Sequence, residues 1–325
     1  MDILIVTPAP PKSRHGNRVT ALRWQRLLRG LGHHVSIGRD YTGGSHDLLI
    51  ALHARRSYSA VRRFHRQNPC APLVVALTGT DIYRNLPHNR KSQESLRLAT
   101  RLIVLQPKAL DELEASARRK ARVIYQSVAR TKKVPKRSVL SAAQSPFIVC
   151  VVGYLRSVKD PLRAAKAART VARASRLQVV HLGGAMSQNW ERRAKAEMKA
   201  NPRYRWLGER TRSAVAEWLR RSQLFVISSR MEGGANALGE AIVAGVPVLA
   251  SRIPGNTGIL GNNYPGLFPA GDTKALAALM TRAERDGRFL ARLGRHCARI
   301  APRFDLPKEK EAWAKLLREL PKPRK

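Results

Sequence analysis

Short apolar runs alternate with helical patterns along most of the chain, and this alternation limits the possible folds more than any other feature. In the first half, the apolar runs predict strands at residues 3–7, 34–37, 47–52, 73–78, 101–105 and 122–125. Helical patterns lie between them at residues 18–31, 57–67, 93–100 and 107–115. Strands that alternate with helices in this way are typical of βαβ units. The sequence therefore predicts an α/β fold built on a parallel sheet.

The alternation stops at residues 129–146 and then starts again. Residues 131–138 are basic and contain a proline, which predicts a linker. Beyond it, strands are predicted at 147–152, 177–182, 204–207, 224–227 and 247–250, and helices at 160–174 (capped by Asp160), 187–200, 212–221, 235–244, 273–286, 288–301 and 307–320. We predict two Rossmann-like, doubly wound domains at residues 1–145 and 146–302, followed by a C-terminal segment, 303–325, whose helix packs back on the first domain. Such domains bind ligands at the carboxyl ends of their strands, so both crevices are expected to face one cleft.

A glycine-rich loop follows the strand that ends near Ile227. It contains Glu232, Gly233, Gly234, Ala235 and Asn236, and Glu240 comes on the second turn of the next predicted helix. Backbone N–H groups at such a helix start are suited to phosphate, and carboxylates accept hydrogen bonds from hydroxyl groups. This pattern predicts a nucleotide-sugar site. A glycine-rich turn with two solvated carboxylates is the alternative.

Composition restricts the partners. The chain has 61 Lys and Arg against 22 Asp and Glu, a net charge of +39, which raises nucleic acid as a partner. The basic residues are spread over many helix faces without an aromatic-interleaved stripe, so we expect no specific nucleic acid. The sequence has no apolar run long enough to span a membrane and no basic leader, and a cytoplasmic location is expected. The cysteines, Cys70, Cys150 and Cys297, are too scattered for a metal site, and no metal or cofactor is indicated.

The loop from Gly153 to Lys159 resembles the donor loop of family 4 glycosyltransferases with the GT-B fold. That loop usually begins Gly-Arg-Leu and ends in Lys; here Lys159 matches, Tyr154 stands where the family has Arg, and Arg156 comes two residues later. The chain also has Thr78-Gly79-Thr80-Asp81 where the family often has His-Gly-Thr-Asp, and His53 is a candidate for the missing imidazole.

A closer resemblance is to the selenosugar synthases of selenoneine biosynthesis. It is carried by residues 13–24, 49–57, 76–83, 104–107, 124–127, 230–236 and 253–261. The resemblance implies transfer of a hexose from UDP-N-acetylglucosamine or UDP-glucose to selenophosphate, with loss of UDP and phosphate. It also implies contact with other enzymes of that pathway. The remaining hypotheses are a glycosyltransferase with a sugar, lipid or thiol acceptor, and a nucleic-acid-binding protein on an inactivated fold.

Selenophosphate is already an anion with a nucleophilic selenium, so its site needs cations and N–H donors more than a general base. We assign the acceptor to residues that follow the first, third and fourth strands: Arg14, His15, Gly16, Asn17, Arg18, Arg55, Arg56, Gly79 and Thr80. A solvated helical turn is the alternative for Arg55 and Arg56, and a loop hydrogen bond is the alternative for His15.

Catalytic roles are assigned to Lys159, Arg156, Glu232 and His53. The two cations would neutralise the leaving UDP, and Glu232 would hold the hexose hydroxyls. The other donor-binding residues are Gly153, Tyr154, Gly233, Gly234, Ala235, Asn236, Glu240 for the ribose, and Leu207 and Gly208 for the uracil. His181 is interpreted as a strand-end histidine that packs and binds no ligand.

Overall fold

The computed structural model describes residues 1–129 and 145–321, which form two compact units. Of these residues, the first unit contains Met1–Ser127, Glu232–Gly234 and 305–321. The second unit contains 128–129, 145–231 and Ala235–Phe304. The predicted linker at residues 131–138 lies outside the described residues.

A six-stranded parallel sheet forms the centre of the first unit. Its strands are β1 (Asp2–Val6), β2 (His34–Gly38), β3 (Leu48–Leu52), β4 (Leu73–Leu77), β5 (Arg101–Val104) and β6 (Ala121–Val123), in the spatial order β2-β1-β3-β4-β5-β6. The connections contain α1 (Gly16–Arg29), α2 (Tyr58–Gln67), α3 (Arg90–Leu98), a 3₁₀ helix (Pro107–Glu112) and α4 (Ala115–Lys120).

Both faces of this sheet are buried. Leu4, Val6 and Leu49 belong to one hydrophobic cluster, whereas Ile3 and Ile5 belong to a second cluster. Successive side chains of a strand point to opposite faces, so the two clusters are the two sides of the sheet. The loops at the carboxyl edge are therefore where this unit can expose polar groups to a ligand.

The second unit repeats the plan with another six-stranded parallel sheet. Its strands are β7 (Phe147–Val152), β8 (Leu177–Leu182), β9 (Tyr204–Trp206), β10 (Leu224–Ile227), β11 (Val248–Ser251) and β12 (Leu267–Phe268), in the order β12-β11-β10-β7-β8-β9. Its helices are a 3₁₀ helix (Ser157–Lys159), α5 (Arg163–Arg169), α6 (Gln188–Ala200), α7 (Arg212–Arg221), α8 (Asn236–Val243), α9 (Pro254–Leu260), α10 (Thr273–Arg285), α11 (Gly287–Ile300) and a 3₁₀ helix (Ala301–Phe304).

The last helix, α12 (Leu306–Arg318), returns to the first unit, as predicted. Trp313 is fully buried, and its ring meets the ring of Trp24 on α1 edge to face, with centroids 4.9 Å apart. The buried Glu309 accepts hydrogen bonds from Trp24 Nε1 (2.9 Å) and Ser127 N (2.7 Å). These contacts make α12 part of the first core.

Two predicted helices have the wrong form. The helix predicted at 107–115 is a 3₁₀ helix that ends before Leu113, where the backbone is extended, and α4 starts only afterwards. The helix predicted at 160–174 covers only Arg163–Arg169. Asp160 does not cap it, because Asp160 has a left-handed backbone (φ 45°) and precedes the helix start by three residues.

The elements that the sequence did not predict include α9 and β12. The helix α9 contains Gly255 and Gly258, whose low helix propensity conceals it in the sequence. The strand β12 has only two residues, too few for a period-two pattern to be recognised. Neither element changes the predicted fold class.

Candidate active site

The loop after β3 carries His53, Arg55 and Arg56. His53 has φ 75°, a left-handed conformation that is uncommon for a residue with a Cβ atom. Its backbone N–H donates to the Ala76 carbonyl of β4 at 2.8 Å, so pairing of the strands continues into the turn. The imidazole is buried, whereas both arginines are exposed. The loop therefore presents two cations at the carboxyl edge of the first sheet.

The His53 imidazole uses both of its nitrogens within this unit. Arg56 N lies 3.3 Å from Nδ1 and also donates to the His53 carbonyl at 3.1 Å, and Nε2 lies 3.1 Å from Thr80 Oγ1. The Asp81 carboxylate faces the same ring, with Oδ2 3.8 Å from Nδ1. Because Nδ1 is an acceptor, we assign the proton to Nε2, which donates to Thr80. Burial lowers the pKa of His53, opposed by the Asp81 charge and supported by the Arg56 and Arg55 charges. Burial thus favours the neutral imidazole, and its Nδ1 lone pair is directed at Arg56 N.

The loop after β4 meets the Glu232–Gly234 loop, which belongs to the same compact unit. Gly79 has φ 138°, and a Cβ atom there would lie 2.8 Å from Gly233 N. A Cβ atom on Gly233 would lie 2.4 Å from the carbonyl of Thr78. Backbone packs directly on backbone here, so glycine is required on both sides. Gly79 was predicted for the acceptor and Gly233 for the donor, and their contact was not foreseen.

The helix α1 begins at Gly16, immediately after the loop that carries Arg14 and His15. His15 occupies the N-cap position without a side-chain capping bond, and no acidic residue lies in the first turn. The backbone N–H groups of this turn and the cations at positions 14 and 18 give the helix start a positive potential. The turn follows β1, which pairs with β3, so it lies at the same sheet edge as the His53 loop.

In the second unit, a small recess opens at the carboxyl ends of β7, β8 and β10. The Lys159 side chain passes the Gly153 backbone, since its Cδ lies 3.9 Å from where a Cβ of Gly153 would stand. Arg156 is exposed. The recess is lined by Val151, Val152, Gly153, Tyr154, Lys159, Pro161, His181, Val226, Ile227, Ser228 and Ser229. It therefore includes three of the predicted donor-side residues.

The left-handed Asp160 stabilises the backbone beside Lys159. Its carboxylate pairs with Arg163 Nε at 2.8 Å, and Arg230 Nε lies 3.9 Å from the same oxygen. The backbone N–H of Arg230 donates to the Val158 carbonyl at 2.8 Å. The turn that holds Lys159 is thus tied both to α5 and to the loop after β10.

His181 supports the same recess from β8. Its Nε2 lies 3.0 Å from the Gly153 carbonyl, and its Nδ1 lies 3.1 Å from Tyr204 OH. Burial lowers its pKa to about 4, so the ring is neutral and donates to Gly153 through Nε2. This is the packing role predicted from the sequence.

Tyr154, at the position where the family usually has Arg, forms a hydrogen bond that the sequence did not predict. Its hydroxyl donates to Glu209 Oε1 at 2.8 Å, across 55 positions of the chain. Glu209 directly follows Leu207 and Gly208, the residues predicted for uracil. Gly208 (φ 70°) accepts a hydrogen bond from Gly183 N at 2.8 Å. The structure thus brings Tyr154 together with the predicted uracil loop.

The helix α8 starts at Asn236, with Ala235 as a cap residue that has no side-chain hydrogen bond. Glu240 is half-buried on its second turn. Gly239 lets α8 pack closely on Phe304, whose ring atoms would lie 3.1–3.2 Å from an added Cβ. The helix start therefore offers the N–H donors expected near a phosphate.

Within residues 1–129 and 145–321, no group of three or more His, Cys, Asp or Glu residues is placed to hold a metal ion. In the same part of the chain, no helix combines the length and apolarity needed to span a bilayer.

Residues 133–299, just over half of the chain, match the family model "Glycosyl transferases group 1". The chain belongs to this family. The matched segment contains Lys159, Glu232 and Glu240, three of the predicted site residues.

A curated relative from Escherichia coli, the UDP-Gal:alpha-D-GlcNAc-diphosphoundecaprenol alpha-1,3-galactosyltransferase, is 26% identical over 167 residues. These are 50% of this chain and 42% of the relative, so the match spans less than half of that protein. Among solved structures, Anabaena HepE in complex with UDP-glucose is similar over 98% of this chain and 100% of its own, with TM-score 0.78 and 17% identity. Sucrose-phosphate synthase from Thermosynechococcus elongatus is similar over 98% of both chains, again with TM-score 0.78 and 17% identity. These similarities confirm the predicted fold class, two Rossmann-like parallel-sheet units of the GT-B type.

Proposed function

We propose that this group 1 glycosyl transferase moves a hexose from UDP-N-acetylglucosamine or UDP-glucose to selenophosphate, a step of selenoneine biosynthesis. Selenium attacks the anomeric carbon, the bond from that carbon to the diphosphate oxygen breaks, and UDP leaves with the electron pair. Water then cleaves the phosphorus–selenium bond and releases phosphate, which leaves a 1-selenosugar.

The observation that best supports an anionic acceptor is the hydrogen bonding and burial of His53. A hydroxyl acceptor benefits from a general base with an available lone pair. The lone pair of His53 is directed at Arg56 N, its other nitrogen faces Thr80, and its pKa is lowered by burial. Beside it, Arg55 exposes a guanidinium group, the side chain best suited to a phosphoryl group. A pre-ionised acceptor fits this chemistry better than a hydroxyl.

The donor side is supported by the family and by the recess in the second unit. The Escherichia coli relative is named for a UDP-sugar, and HepE was crystallised with UDP-glucose. In our proposal Lys159 and Arg156 neutralise the charge that develops on UDP as it leaves. The backbone amides of residues 233–236 contact the diphosphate, Glu232 binds the hexose hydroxyls, Glu240 binds the ribose, and the loop at Leu207 and Gly208 receives the uracil.

The test is incubation of the purified protein with each UDP-hexose and selenophosphate, with detection of UDP and of the selenium isotope pattern by mass spectrometry. We expect UDP release that depends on selenophosphate, together with a hexose-selenium product. Orthophosphate in place of selenophosphate is the matched control, because it has the charge without the nucleophilic selenium.

Two results would overturn the proposal. UDP release with sugar, lipid or thiol acceptors, and none with selenophosphate, would identify an ordinary glycosyltransferase. Salt-dependent binding to unrelated DNA, without affinity for UDP, would favour the nucleic-acid-binding alternative.

A further inference from the structure

A buried carboxylate ties together the two loops to which the acceptor is assigned. Asp81 Oδ1 accepts hydrogen bonds from the backbone N–H groups of Thr78 (3.0 Å) and Gly79 (2.8 Å) in the loop after β4. Its Oδ2 accepts from the N–H of Ala54 (3.0 Å) in the loop after β3. The side chain has no exposed surface. Three backbone N–H donors therefore stabilise this buried carboxylate. They belong to the loops after β3 and β4, which carry predicted acceptor residues.

The peptide groups of Ala54 are held from both sides. Asp81 accepts a hydrogen bond from its N–H, and the hydroxyl of the buried Ser95 of α3 lies 2.9 Å from the Ala54 carbonyl oxygen. The Lys91 carbonyl oxygen is equally close, at 2.9 Å, so the two carbonyls share the hydroxyl proton of Ser95. Ala54 stands between His53 and Arg55, so fixing its backbone fixes where both side chains begin. This support also maintains the left-handed backbone of His53, a conformation that costs of the order of 1–3 kcal/mol in the absence of compensating contacts.

We infer that Asp81 is a positioning residue for the acceptor: it locks the loops after β3 and β4 together, so that Arg55, Arg56 and the His53–Thr80 pair meet the acceptor anion in one fixed arrangement. The identity of that anion rests on the proposed function, whereas the locking of the loops does not. Asp81 itself touches no substrate in this scheme, because its oxygens are occupied by backbone N–H groups.

An amide cannot replace this carboxylate. Asn at position 81 has one acceptor oxygen and one NH₂ group, so either the Ala54 N–H or the Thr78 and Gly79 N–H groups would face another donor. A buried donor left without an acceptor is costly, and the loop on that side is expected to move away.

We test this with Asp81→Asn, matched by Glu309→Gln. Glu309 is also a buried carboxylate of the first unit that accepts a backbone N–H, but it links α12 to α1 and Ser127. We expect Asp81→Asn to raise the KM for selenophosphate at least tenfold and to leave the calorimetric affinity for UDP within twofold. Glu309→Gln should lower the melting temperature without this KM change. Equal changes in both variants, or equal losses for donor and acceptor, would overturn the inference.

A second measurement does not depend on which acceptor is used. The charged groups that face His53 are Asp81, Arg55 and Arg56, and removing the Asp81 charge leaves only the two cations. We expect the NMR titration of His53, assigned with His53→Gln, to move to lower pH in Asp81→Asn. An unchanged titration would refute the contact even if the wild type makes selenosugar. A shifted titration in a protein that makes none would refute the proposed function and leave the contact between the two loops intact.

Ser95→Ala covers the case in which Asp81→Asn does not fold. It removes the hydroxyl that the Ala54 and Lys91 carbonyls share, and we expect a smaller rise in acceptor KM in the same direction. Wild-type acceptor kinetics in Ser95→Ala, with Asp81→Asn unfolded, would assign Asp81 to stability and reject the positioning role.

Discussion

Replacing Gly183 by Ala tests how tightly the recess of the second unit, the proposed donor site, is built. Gly183 has φ 150°, and a Cβ atom there would lie 2.0 Å from the Gly153 carbonyl oxygen and 2.5 Å from its carbon. Ordinary contact begins at 3.4 Å, so the loop after β7 must move by about 1.4 Å. An Ala at this backbone conformation adds strain of roughly 1–3 kcal/mol. With the displacement of the loop included, we expect the free energy of unfolding to fall by about 2–4 kcal/mol.

The displacement should also reach the donor. The Gly153 carbonyl accepts the His181 hydrogen bond, and the next residue, Tyr154, bonds Glu209 beside the predicted uracil loop. Loss of one hydrogen bond to a charged ligand costs about 1.5–3 kcal/mol, so we expect the affinity for UDP to fall at least tenfold. Isothermal calorimetry with UDP and a thermal melt measure both effects, and the melting temperature should fall by roughly 5–10 °C.

Gly261→Ala is the matched control, because Gly261 has φ 91° but nothing lies within 4 Å of an added Cβ. It carries backbone strain without overlap. If Gly183→Ala binds UDP as tightly as Gly261→Ala does, the close approach of Gly183 to Gly153 has no role in donor binding, and our account of the recess is wrong.

Lys159→Ala should weaken UDP binding by about 1.5–3 kcal/mol, measured by calorimetry, because the role proposed for Lys159 is a charge-assisted contact with the diphosphate. Lys195→Ala, the control, removes an exposed lysine paired with Glu191 and should leave UDP binding unchanged. Arg55→Ala should raise the KM for selenophosphate and leave UDP affinity unchanged, and the reverse pattern would assign Arg55 to the donor. His53→Gln should cost less than the roughly 10²–10⁴-fold of a lost general base, with a rate that is flat across neutral pH; a collapse of turnover with both substrates bound would contradict this. The pKa of His181 is about 4 when folded and 6.5 when unfolded, so the unfolded state takes up its proton first as pH falls through this window. Urea unfolding should then show a stability loss of about 2 kcal/mol from this group between pH 7 and pH 5, absent in His181→Gln.

The parts of the fold that could be predicted from the sequence are those with a local pattern. Strands such as β3 and β4 are continuous apolar runs, and their burial on both faces leaves no alternative to a covered parallel sheet. The glycine-rich loop before α8 was recognisable because glycines directly follow Glu232 and a helical pattern that contains Glu240 comes next. Local propensity decided these elements, so the sequence was sufficient for them.

The rest depends on contacts between distant positions. Nothing near Tyr154 in the sequence indicates that its hydroxyl donates to Glu209. Nothing near Ala54 indicates that its backbone N–H donates to Asp81. The tautomer of His53 follows from a left-handed turn that its neighbours do not encode. A Tyr where a family usually has Arg indicates that the side chain has a different hydrogen-bonding partner, and so does an Asp next to two turn residues. Neither pattern indicates where in the chain that partner lies.

The position of α12 has a consequence for how the protein is made. The core of the first unit needs Trp313 and Glu309, which are synthesised about 180 residues after Ser127. At roughly 5–20 residues per second, the ribosome needs about 10–40 s to bridge that interval. During this time the first sheet has left the ribosome while Trp24 lacks both its ring partner and the acceptor for its indole N–H. We therefore expect chaperones to bind the nascent first unit during this interval, and the core of this unit is completed only when α12 emerges.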